Sequence, residues 1–278
     1  MTRLLVACFS LLALSACSKA SLLNATITRD GYAVKRDFAY GENPRQRFDL
    51  YIPHGVTKAP VIVFYYGGSW QSGSKDDYRF LGQAFAEKGF ITAVADYRLY
   101  PEVKFPEFIE DGARAFAYIH AHADAWGGDP ARVYVAGHSA GAYIAMMVGA
   151  DPQYVAATGG QRSDVRGIIG IAGPYDFLPF TDDDIQAIFS TASDAATQPI
   201  NHLISPMPPV FLASGNSDDV VDPRNSLRVE AKLKSMESKV VAYHYPDTGH
   251  IGIILSLAQG FRGRTSLLED VADFITQH

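Results

Sequence analysis

The sequence predicts an α/β fold in which a mostly parallel β-sheet is flanked by helices. From about residue 60 onward, short β-branched runs alternate with segments of helical spacing, which is the pattern of consecutive strand–helix units. The run at 60–66 is apolar on both faces, as expected of an interior strand covered by helices on each side. With 278 residues, 47% of them hydrophobic, the chain can bury the core of one large domain.

Residues 1–16 have the character of a signal peptide. A basic residue precedes the apolar run 4–13, which is too short for a membrane span because a spanning helix needs about 20 residues. The tetrapeptide 14–17 then resembles the lipobox of bacterial lipoproteins. This resemblance implies that Cys17 is lipidated and anchors the chain in the cell envelope, with the outer membrane favoured by the serine that follows. A plain signal peptide or a transmembrane anchor is the alternative.

Residues 17–31 are small and polar, and we expect a tether there, followed by one folded domain over 32–278. Loose alternation of apolar residues predicts two antiparallel strands, 32–40 and 46–52, that enter the sheet. Later strands are predicted where buried apolar runs precede glycine-rich or proline-rich loops. These strands lie at 60–66, 90–95, 132–138, 165–172, 209–214 and 239–245.

Helices are predicted where apolar residues recur at spacings of three and four. The first such helix ends at Gly89, and the second shares one apolar face from Phe108 to Ile119. The predicted helices are 76–88, 108–125, the helix after residue 139, 223–236 and the C-terminal helices around 267–275. The longest irregular stretch, about 174–207, is the best candidate for a small lid.

One strand-to-helix junction has the sequence Gly137-His138-Ser139-Ala140-Gly141. A serine on such a strained turn has its hydroxyl above the sheet, where a base and a substrate carbonyl can both reach it. Glycines two residues to either side leave room for the strand and the helix to pass closely. The pattern therefore predicts Ser139 as a nucleophile, although Gly-x-Ser-x-Gly also occurs by chance.

A second junction, Gly67-Gly68-Ser69-Trp70, follows the strand at 60–66. Acyl transfer needs hydrogen-bond donors aimed at the oxygen that becomes negative, and a glycine-rich turn exposes backbone N–H groups. This turn is therefore a candidate oxyanion hole, with an ordinary strand-to-helix turn as the alternative.

Asp218 and His250 each come directly after a predicted strand, and functional loops lie at the carboxyl ends of parallel strands. The order Ser139, acid, His250 is the order of the α/β-hydrolases. In such a triad the histidine is the general base and the carboxylate holds its tautomer. Asp219 and Asp222 lie in the same loop as Asp218, so these residues alone leave the choice of acid open.

Four segments together resemble the α/β-hydrolases that have a His-Gly-Gly-x-Trp loop. These segments are Tyr66–Gly73, Asp96–Leu99, Gly128–Pro130 and Gly137–Gly141, and the likeness covers roughly residues 35–278. The group includes the bifunctional feruloyl and acetyl xylan esterase-like proteins and the kynurenine formamidases. The resemblance implies an α/β-hydrolase fold.

The resemblance also implies oxyanion donors at the N–H groups of Gly68, Ser69 and Ala140. It favours Asp218 as the acid, because the loop from Gly215 matches the family pattern Gly-x-x-Asp-x-x-Val. Tyr66 departs from the family, which has histidine at this position and uses it to set the loop. Aromatic side chains beside the pocket loops are expected to contact substrate, with core packing as the alternative, and they are Tyr66, Trp70 and Tyr97.

The predicted function is that of a serine carboxylesterase acting through an acyl-enzyme on short-acyl or aromatic esters. An arylformamidase-like amide hydrolase and an inactive lipid-anchored binding protein are the alternatives. The net charge of −6, without any basic run, argues against a nucleic-acid partner. No cofactor or metal is expected: His120 and His122 lie two residues apart on a helix and point away from each other. The oligomeric state is not predicted.

Overall fold

The computed structural model describes residues 22–278, so the predicted signal peptide and Cys17 lie outside the described residues. Within 22–278, eight strands form a single sheet in the order β1-β2-β4-β3-β5-β6-β7-β8. The strands are β1 Tyr32–Ala39, β2 Arg47–Pro53, β3 Ala59–Tyr65, β4 Ile91–Ala95, β5 Gly128–His138, β6 Gly167–Ile171, β7 Val210–Gly215 and β8 Val240–Tyr245.

The sheet is parallel except at one edge. β1 pairs with β2, and β2 with β4, in antiparallel fashion, whereas each neighbouring pair from β4 to β8 is parallel. This confirms the predicted antiparallel entry and the parallel sheet that follows. Because the parallel strands run the same way, the loops after β3, β5, β7 and β8 emerge at one edge of the sheet.

Helices connect the parallel strands and cover both faces of the sheet. The helices are α1 Arg79–Glu87, α2 Glu107–His122, α3 Ala140–Ala150, α4 Pro152–Ala156, α5 Asp183–Ile188, α6 Arg224–Ser235, α7 His250–Leu255 and α8 Leu267–Gln277. The predicted helices at 76–88 and 108–125 each include a short 3₁₀ segment, one at the start of the first and one at the end of the second.

The core is centred on β3 and α3. All seven residues of β3 and all eleven residues of α3 are buried. A strand that is apolar along its whole length needs covering on both faces, and β3 lies between β4 and β5 inside the sheet. The predicted interior position of this strand is confirmed.

The segment 22–31 differs from the expected tether. Asn24 donates a hydrogen bond through Nδ2 to the Asp76 carbonyl (3.0 Å), and its Oδ1 accepts one from the Phe80 N–H (3.3 Å). Ile27 is only 4% exposed and belongs to the core. These contacts correct the predicted boundary, because burying an apolar side chain and pairing an amide fasten the described part of this segment to the domain.

The segment 174–207 is irregular, as predicted, and contains one short helix, α5, among 3₁₀ turns. The acidic run 182–184 lies at the start of α5, where Oδ1 of Asp182 accepts a hydrogen bond from the Ile185 N–H (3.0 Å). This arrangement is favourable because acidic side chains stabilise helix N-termini.

His120 and His122 face different neighbours: the His120 ring stacks on Phe116 and the His122 ring on Tyr118. Among residues 22–278, no group of three or more histidine, cysteine or acidic side chains is arranged to hold a metal ion. In the same part of the chain, none of the helices is both long enough and apolar enough for a membrane span.

Candidate active site

Ser139 lies at the junction between β5 and α3, as the sequence predicts. Its backbone has φ 55° and ψ −125°, a strained conformation for a residue with a side chain. Neighbouring elements hold this turn in place: the Ser139 N–H donates to the Ile171 carbonyl (2.9 Å), and the Ser139 carbonyl accepts from the Ala142 N–H (2.9 Å). The turn places the serine at the carboxyl end of β5, where it lines a cavity although it is only 8% exposed.

The two glycines of the motif permit this tight turn. A Cβ atom built on Gly137 would lie 2.1 Å from the Gly141 carbonyl oxygen. A Cβ atom built on Gly141 would lie 2.0 Å from the Tyr65 carbonyl oxygen. Both distances are far below any van der Waals contact, and both obstacles are backbone atoms that cannot rotate away. The predicted close passage of strand and helix is therefore confirmed.

His250 and Asp218 lie together beside this turn. Nδ1 of His250 is 2.8 Å from Oδ2 of Asp218, and both side chains are buried. Oδ1 of Asp218 accepts hydrogen bonds from the N–H groups of Val220 and Val221, each 2.9 Å long. Burial by itself would raise the pKa of Asp218, but the hydrogen bonds from His250 and from these two N–H groups lower it below its usual value.

The structure distinguishes the three acidic residues of this loop. Asp222 is paired with Arg224, whose Nε lies 2.6 Å from Oδ2 of Asp222. Asp219 makes no hydrogen bond to His250 among the described residues. Asp218 is thus the carboxylate that orients the imidazole, as the family pattern implies.

The third member of the predicted triad lies nearby but is not hydrogen-bonded to the other two. Among residues 22–278, no hydrogen bond joins Oγ of Ser139 to His250, whose imidazole contacts Asp218 through Nδ1. The imidazole of His250 lies 4.7 Å, between ring centroids, from that of His138, the residue before the serine. In unliganded sites such hydrogen bonds are often long and shorten when the substrate binds.

The loop Gly67–Gly73, which we call the oxyanion loop, passes directly over Ser139. A Cβ atom on Gly67 would lie 2.9 Å from the Cβ of Ser139. Three consecutive residues of this loop have positive φ: Gly68 at 131°, Ser69 at 51° and Trp70 at 59°. The loop closes on itself because the Gly68 carbonyl accepts the N–H groups of residues 71 and 72.

The strained backbone leaves donors unpaired beside the serine. The N–H groups of Gly68, Ser69 and Ala140 have no acceptor among the described residues. Ala140 is the first residue of α3, where an N–H group has no partner within the helix. These are the three donors that the family resemblance implies.

A cavity of about 640 Å³ opens next to Ser139. It is lined by Ser69 and Ala140, by residues of the segment 174–185 and by residues of the loop and helix around 220–228. The apolar and aromatic part of the lining includes Trp70, Phe177, Leu178, Phe180 and Ile185. The polar and charged part of the lining consists of Asp176, Asp222, Arg224, Asn225 and Arg228.

Of the three aromatic residues predicted to contact substrate, only one lines this cavity. Trp70 lines it, but Tyr66 and Tyr97 are fully buried and do not. Their rings stack on each other with centroids 4.9 Å apart, and the Tyr97 hydroxyl donates to the Tyr66 carbonyl (2.8 Å). Because both side chains are fully buried and neither lines the cavity, the structure favours core packing, the alternative, for these two tyrosines.

His138 was not predicted as a site residue from the sequence. Its Nε2 lies 3.0 Å from the His250 carbonyl, so this imidazole supports the backbone of the candidate base. Burial lowers the pKa of His138 to about 3, which keeps it neutral. No sequence signal marks this residue, because it occupies a variable position of the Gly-x-Ser-x-Gly motif.

Two buried amide side chains that fasten the start of the segment 174–207 were not predicted from the sequence either. Oδ1 of Asn225 accepts the N–H groups of Tyr175 (2.8 Å) and Asp176 (2.7 Å). Oε1 of Gln198 accepts the N–H group of Phe177 (2.7 Å). Polar residues near a helix start or in an irregular segment give no indication of such long-range contacts.

Comparison with known proteins agrees with this geometry. The BD-FAE family profile matches residues 48–233. Esterase LipC of Mycobacterium tuberculosis is 30% identical over 247 residues, 79% of this chain and 60% of that protein. The probable isoprenylcysteine alpha-carbonyl methylesterase ICMEL1 of Arabidopsis thaliana is 28% identical, over 80% of this chain and 52% of its own length. A kynurenine formamidase of Salmo salar is 26% identical, over 82% and 79%.

The chain spans 52–64% of the length of the first curated relatives that it matches, all of them named as isoprenylcysteine alpha-carbonyl methylesterases or as probable ones. Among solved structures, a carbohydrate esterase from gut microbiota superposes with a TM-score of 0.75 at 18% identity, over 90% of this chain and 98% of that one. Thermogutta terrifontis esterase 2 does so with a TM-score of 0.75 at 22% identity, over 90% and 96%. At these identities the likeness concerns the fold. The chain thus has the α/β-hydrolase fold and belongs to the BD-FAE family.

Proposed function

We propose that this protein is a serine carboxylic-ester hydrolase that acts through an acyl-enzyme. The observation that carries the proposal is the 2.8 Å contact between His250 and Asp218, next to Ser139 and a loop with unpaired N–H groups. A nucleophile, a base held by a carboxylate, and donors for an oxyanion are the parts that acyl transfer needs.

The reaction follows from these positions. As Oγ of Ser139 attacks the ester carbonyl, Nε2 of His250 takes the hydroxyl proton while Asp218 stabilises the imidazolium. The carbonyl oxygen becomes an oxyanion, which accepts hydrogen bonds from the N–H groups of Gly68, Ser69 and Ala140. When the C–O bond breaks, the imidazolium gives its proton to the leaving alkoxide. Water then attacks the acyl-enzyme with His250 again as base, which releases the acid and restores Ser139.

The cavity suggests the substrate class: short-acyl or aromatic esters. Its aromatic lining residues, such as Trp70 and Phe177, suit an acyl or aryl group, and its polar lining residues, such as Asp176 and Arg228, suit a hydroxylated one. Thermogutta terrifontis esterase 2, which has the same fold, has been solved with propionate and with butyrate bound.

A formamidase is the second candidate, because one of the relatives is a kynurenine formamidase that aligns with 82% of this chain. The same nucleophile, base and oxyanion donors would cleave a formamide. Kynurenine metabolism would fit a cytoplasmic protein better than an exported one, so the ester activity is the leading proposal.

The deciding experiment measures turnover by the purified chain of p-nitrophenyl acetate, butyrate and octanoate, a feruloyl ester, a prenylcysteine methyl ester and N-formylkynurenine. We expect ester turnover that Ser139→Ala reduces by about six orders of magnitude, to background. Labelling by a fluorophosphonate probe should likewise be lost in Ser139→Ala. A wild-type protein that neither turns over an ester nor reacts with the probe would instead be a binding protein.

We also propose that the protein is a lipoprotein of the bacterial cell envelope, anchored through Cys17. The support is the lipobox-like tetrapeptide 14–17 after a short apolar run. Metabolic labelling with an alkyne fatty acid should mark the wild type and not Cys17→Ala. Equal labelling of both would exclude lipidation at this residue.

A further inference from the structure

We infer that Tyr66, which occupies the position of the family's histidine, is a positioning residue that fixes the oxyanion loop through Asp96 and Arg45. This inference rests on the proposed function and adds to it the means by which the donors are held. It follows from contacts at both ends of the loop Gly67–Gly73.

The first contact is between Tyr66 and Asp96. The Tyr66 hydroxyl donates to Oδ1 of Asp96 (2.7 Å), and the same oxygen accepts the N–H of Lys75 (2.8 Å). Lys75 follows the loop by two residues and Tyr66 directly precedes it. One buried carboxylate at the end of β4 therefore joins the chain on either side of the loop.

The second contact is made by Arg45. Its guanidinium NH2 group donates to the Tyr66 hydroxyl (2.6 Å) and to the carbonyl of Gly73, the last residue of the loop (2.9 Å). Its Nε donates to the Tyr97 carbonyl (2.9 Å). Arg45 thus connects the end of the loop to the tyrosine at its start.

Packing fixes the tyrosine itself. Its ring is stacked between Tyr97, with centroids 4.9 Å apart, and Tyr78, with centroids 5.6 Å apart. Gly73 has φ 110°, and a Cβ atom there would lie 2.6 Å from the Tyr66 ring, so the end of the loop rests directly on it. The Tyr66 carbonyl is also held, by the Tyr97 hydroxyl.

These contacts exclude a direct role in the reaction. The Tyr66 hydroxyl is fully buried, and Asp96 and Arg45 occupy it, so it cannot donate to an oxyanion in the cavity. Its effect is instead on the geometry of the loop. Errors of about 1 Å in the position of catalytic groups can cost about 100-fold in rate.

The hydroxyl also matters to the buried carboxylate. Burial raises the pKa of Asp96, and the hydrogen bonds from Tyr66 and the Lys75 N–H, together with Arg45, oppose this rise. Without the hydroxyl, Asp96 and Arg45 each lose a partner in a buried network. Leaving buried polar groups unpaired costs free energy, so Asp96 and Arg45 are expected to shift toward new partners, and the loop that they hold would shift with them.

The first test compares Tyr66→Phe with Tyr134→Phe. Tyr134 is the matched control, since it is also fully buried and its hydroxyl donates one hydrogen bond, to the Ile275 carbonyl (3.1 Å), beyond the site. For p-nitrophenyl acetate we expect Tyr66→Phe to lower kcat by about 10- to 100-fold with KM changed by less than about 3-fold. Tyr134→Phe should stay within about 2-fold of wild type in both. Equal kcat for the two variants would overturn the inference.

The second test does not depend on turnover. Amide hydrogen exchange of residues 67–75 should be faster in Tyr66→Phe than in wild type, because Gln71 and Ser72 donate within the loop, and unchanged in Tyr134→Phe. Unchanged exchange in Tyr66→Phe would overturn the inference whatever the enzyme does. A wild type without ester turnover would refute only the proposed function, and exchange would then decide the positioning role.

A double-mutant cycle completes the design. If Tyr66 acts through Asp96, then Tyr66→Phe and Asp96→Asn should be strongly non-additive in log kcat, with the double variant close to the worse single one. Additive losses would show that the tyrosine acts by another route and would overturn the inference.

Discussion

Alanine substituted for Gly141 and for Gly252 should have opposite effects on stability. Both glycines lie in helices, α3 and α7, where alanine is intrinsically favoured by about 1 kcal/mol. At Gly252 the nearest atom to an added Cβ is a methyl carbon of Thr248, 3.9 Å away, which is an ordinary contact. At Gly141 the added Cβ would lie 2.0 Å from the Tyr65 carbonyl oxygen and 2.6 Å from that of Tyr66.

The magnitude follows from these distances. Real Cβ contacts are essentially never shorter than 3.0 Å, so α3 would have to move about 1 Å away from β3. Overpacking of this kind costs about 1–3 kcal/mol, and immovable backbone obstacles place Gly141→Ala near the upper end of that range. For a chain of this size, about 3 kcal/mol lowers Tm by roughly 6–12 °C. Gly252→Ala should gain about 0.5–1 kcal/mol.

The assay is thermal unfolding together with turnover of p-nitrophenyl acetate. A 1 Å displacement of α3 moves Ser139 and the Ala140 N–H, so Gly141→Ala should also lose about 100-fold in kcat. Gly252→Ala should keep turnover within about 2-fold of wild type. If Gly141→Ala unfolds at or above the wild-type Tm, the steric reason given for the glycine is refuted. If both variants are equally destabilised, the loss of stability comes from replacing a helical glycine and not from a steric clash with β3.

Three further predictions concern titratable groups. Asp218→Asn should lower kcat by about 10⁴-fold, because the amide favours the wrong tautomer of His250, whereas Asp219→Asn should remain within a few-fold. His250→Ala should lower kcat about as far as Ser139→Ala does, because the serine then has no base to accept its proton, and a variant with wild-type turnover would exclude His250 as base. Nδ1 of His202 lies 2.7 Å from Oδ2 of Asp151. This pair should stabilise the fold most between pH 3.8, the ordinary pKa of an aspartate, and pH 6.5, that of a histidine. The hydrogen bond to Asp151 raises the pKa of His202, so its contribution, about 1.5–3 kcal/mol, is present below pH 6.5 and is lost as the pH rises through the raised pKa. Although burial opposes it, the pKa of Asp151 is lowered, so its contribution is lost as the pH falls below 3.8. Urea unfolding of wild type and His202→Gln at about pH 6 and pH 9 should show the larger difference at pH 6, and a larger difference at pH 9 would contradict this sign.

The amino-acid sequence by itself determined the parallel sheet and the serine turn. Apolar runs and helical spacings reflect whether a segment is buried on one face or on both, which is a local property of the chain. The turn at Ser139 is local too, because the glycines at 137 and 141 and the strand and helix beside them lie within a few residues of one another. Such features depend on short-range sterics and can be predicted from the residues themselves.

Only the tertiary structure decided which side chains meet. Asp218 and Asp222 lie in the same loop and are equal candidates from sequence, but Asp218 contacts His250 and Asp222 contacts Arg224. Tyr66 was expected in the pocket, and it lies beneath the loop because Asp96 and Arg45, which are distant in sequence, hold its hydroxyl there. Contacts between residues far apart in the chain depend on the direction each side chain takes after the strands have assembled. Local sequence patterns therefore cannot predict which distant residues a side chain will contact.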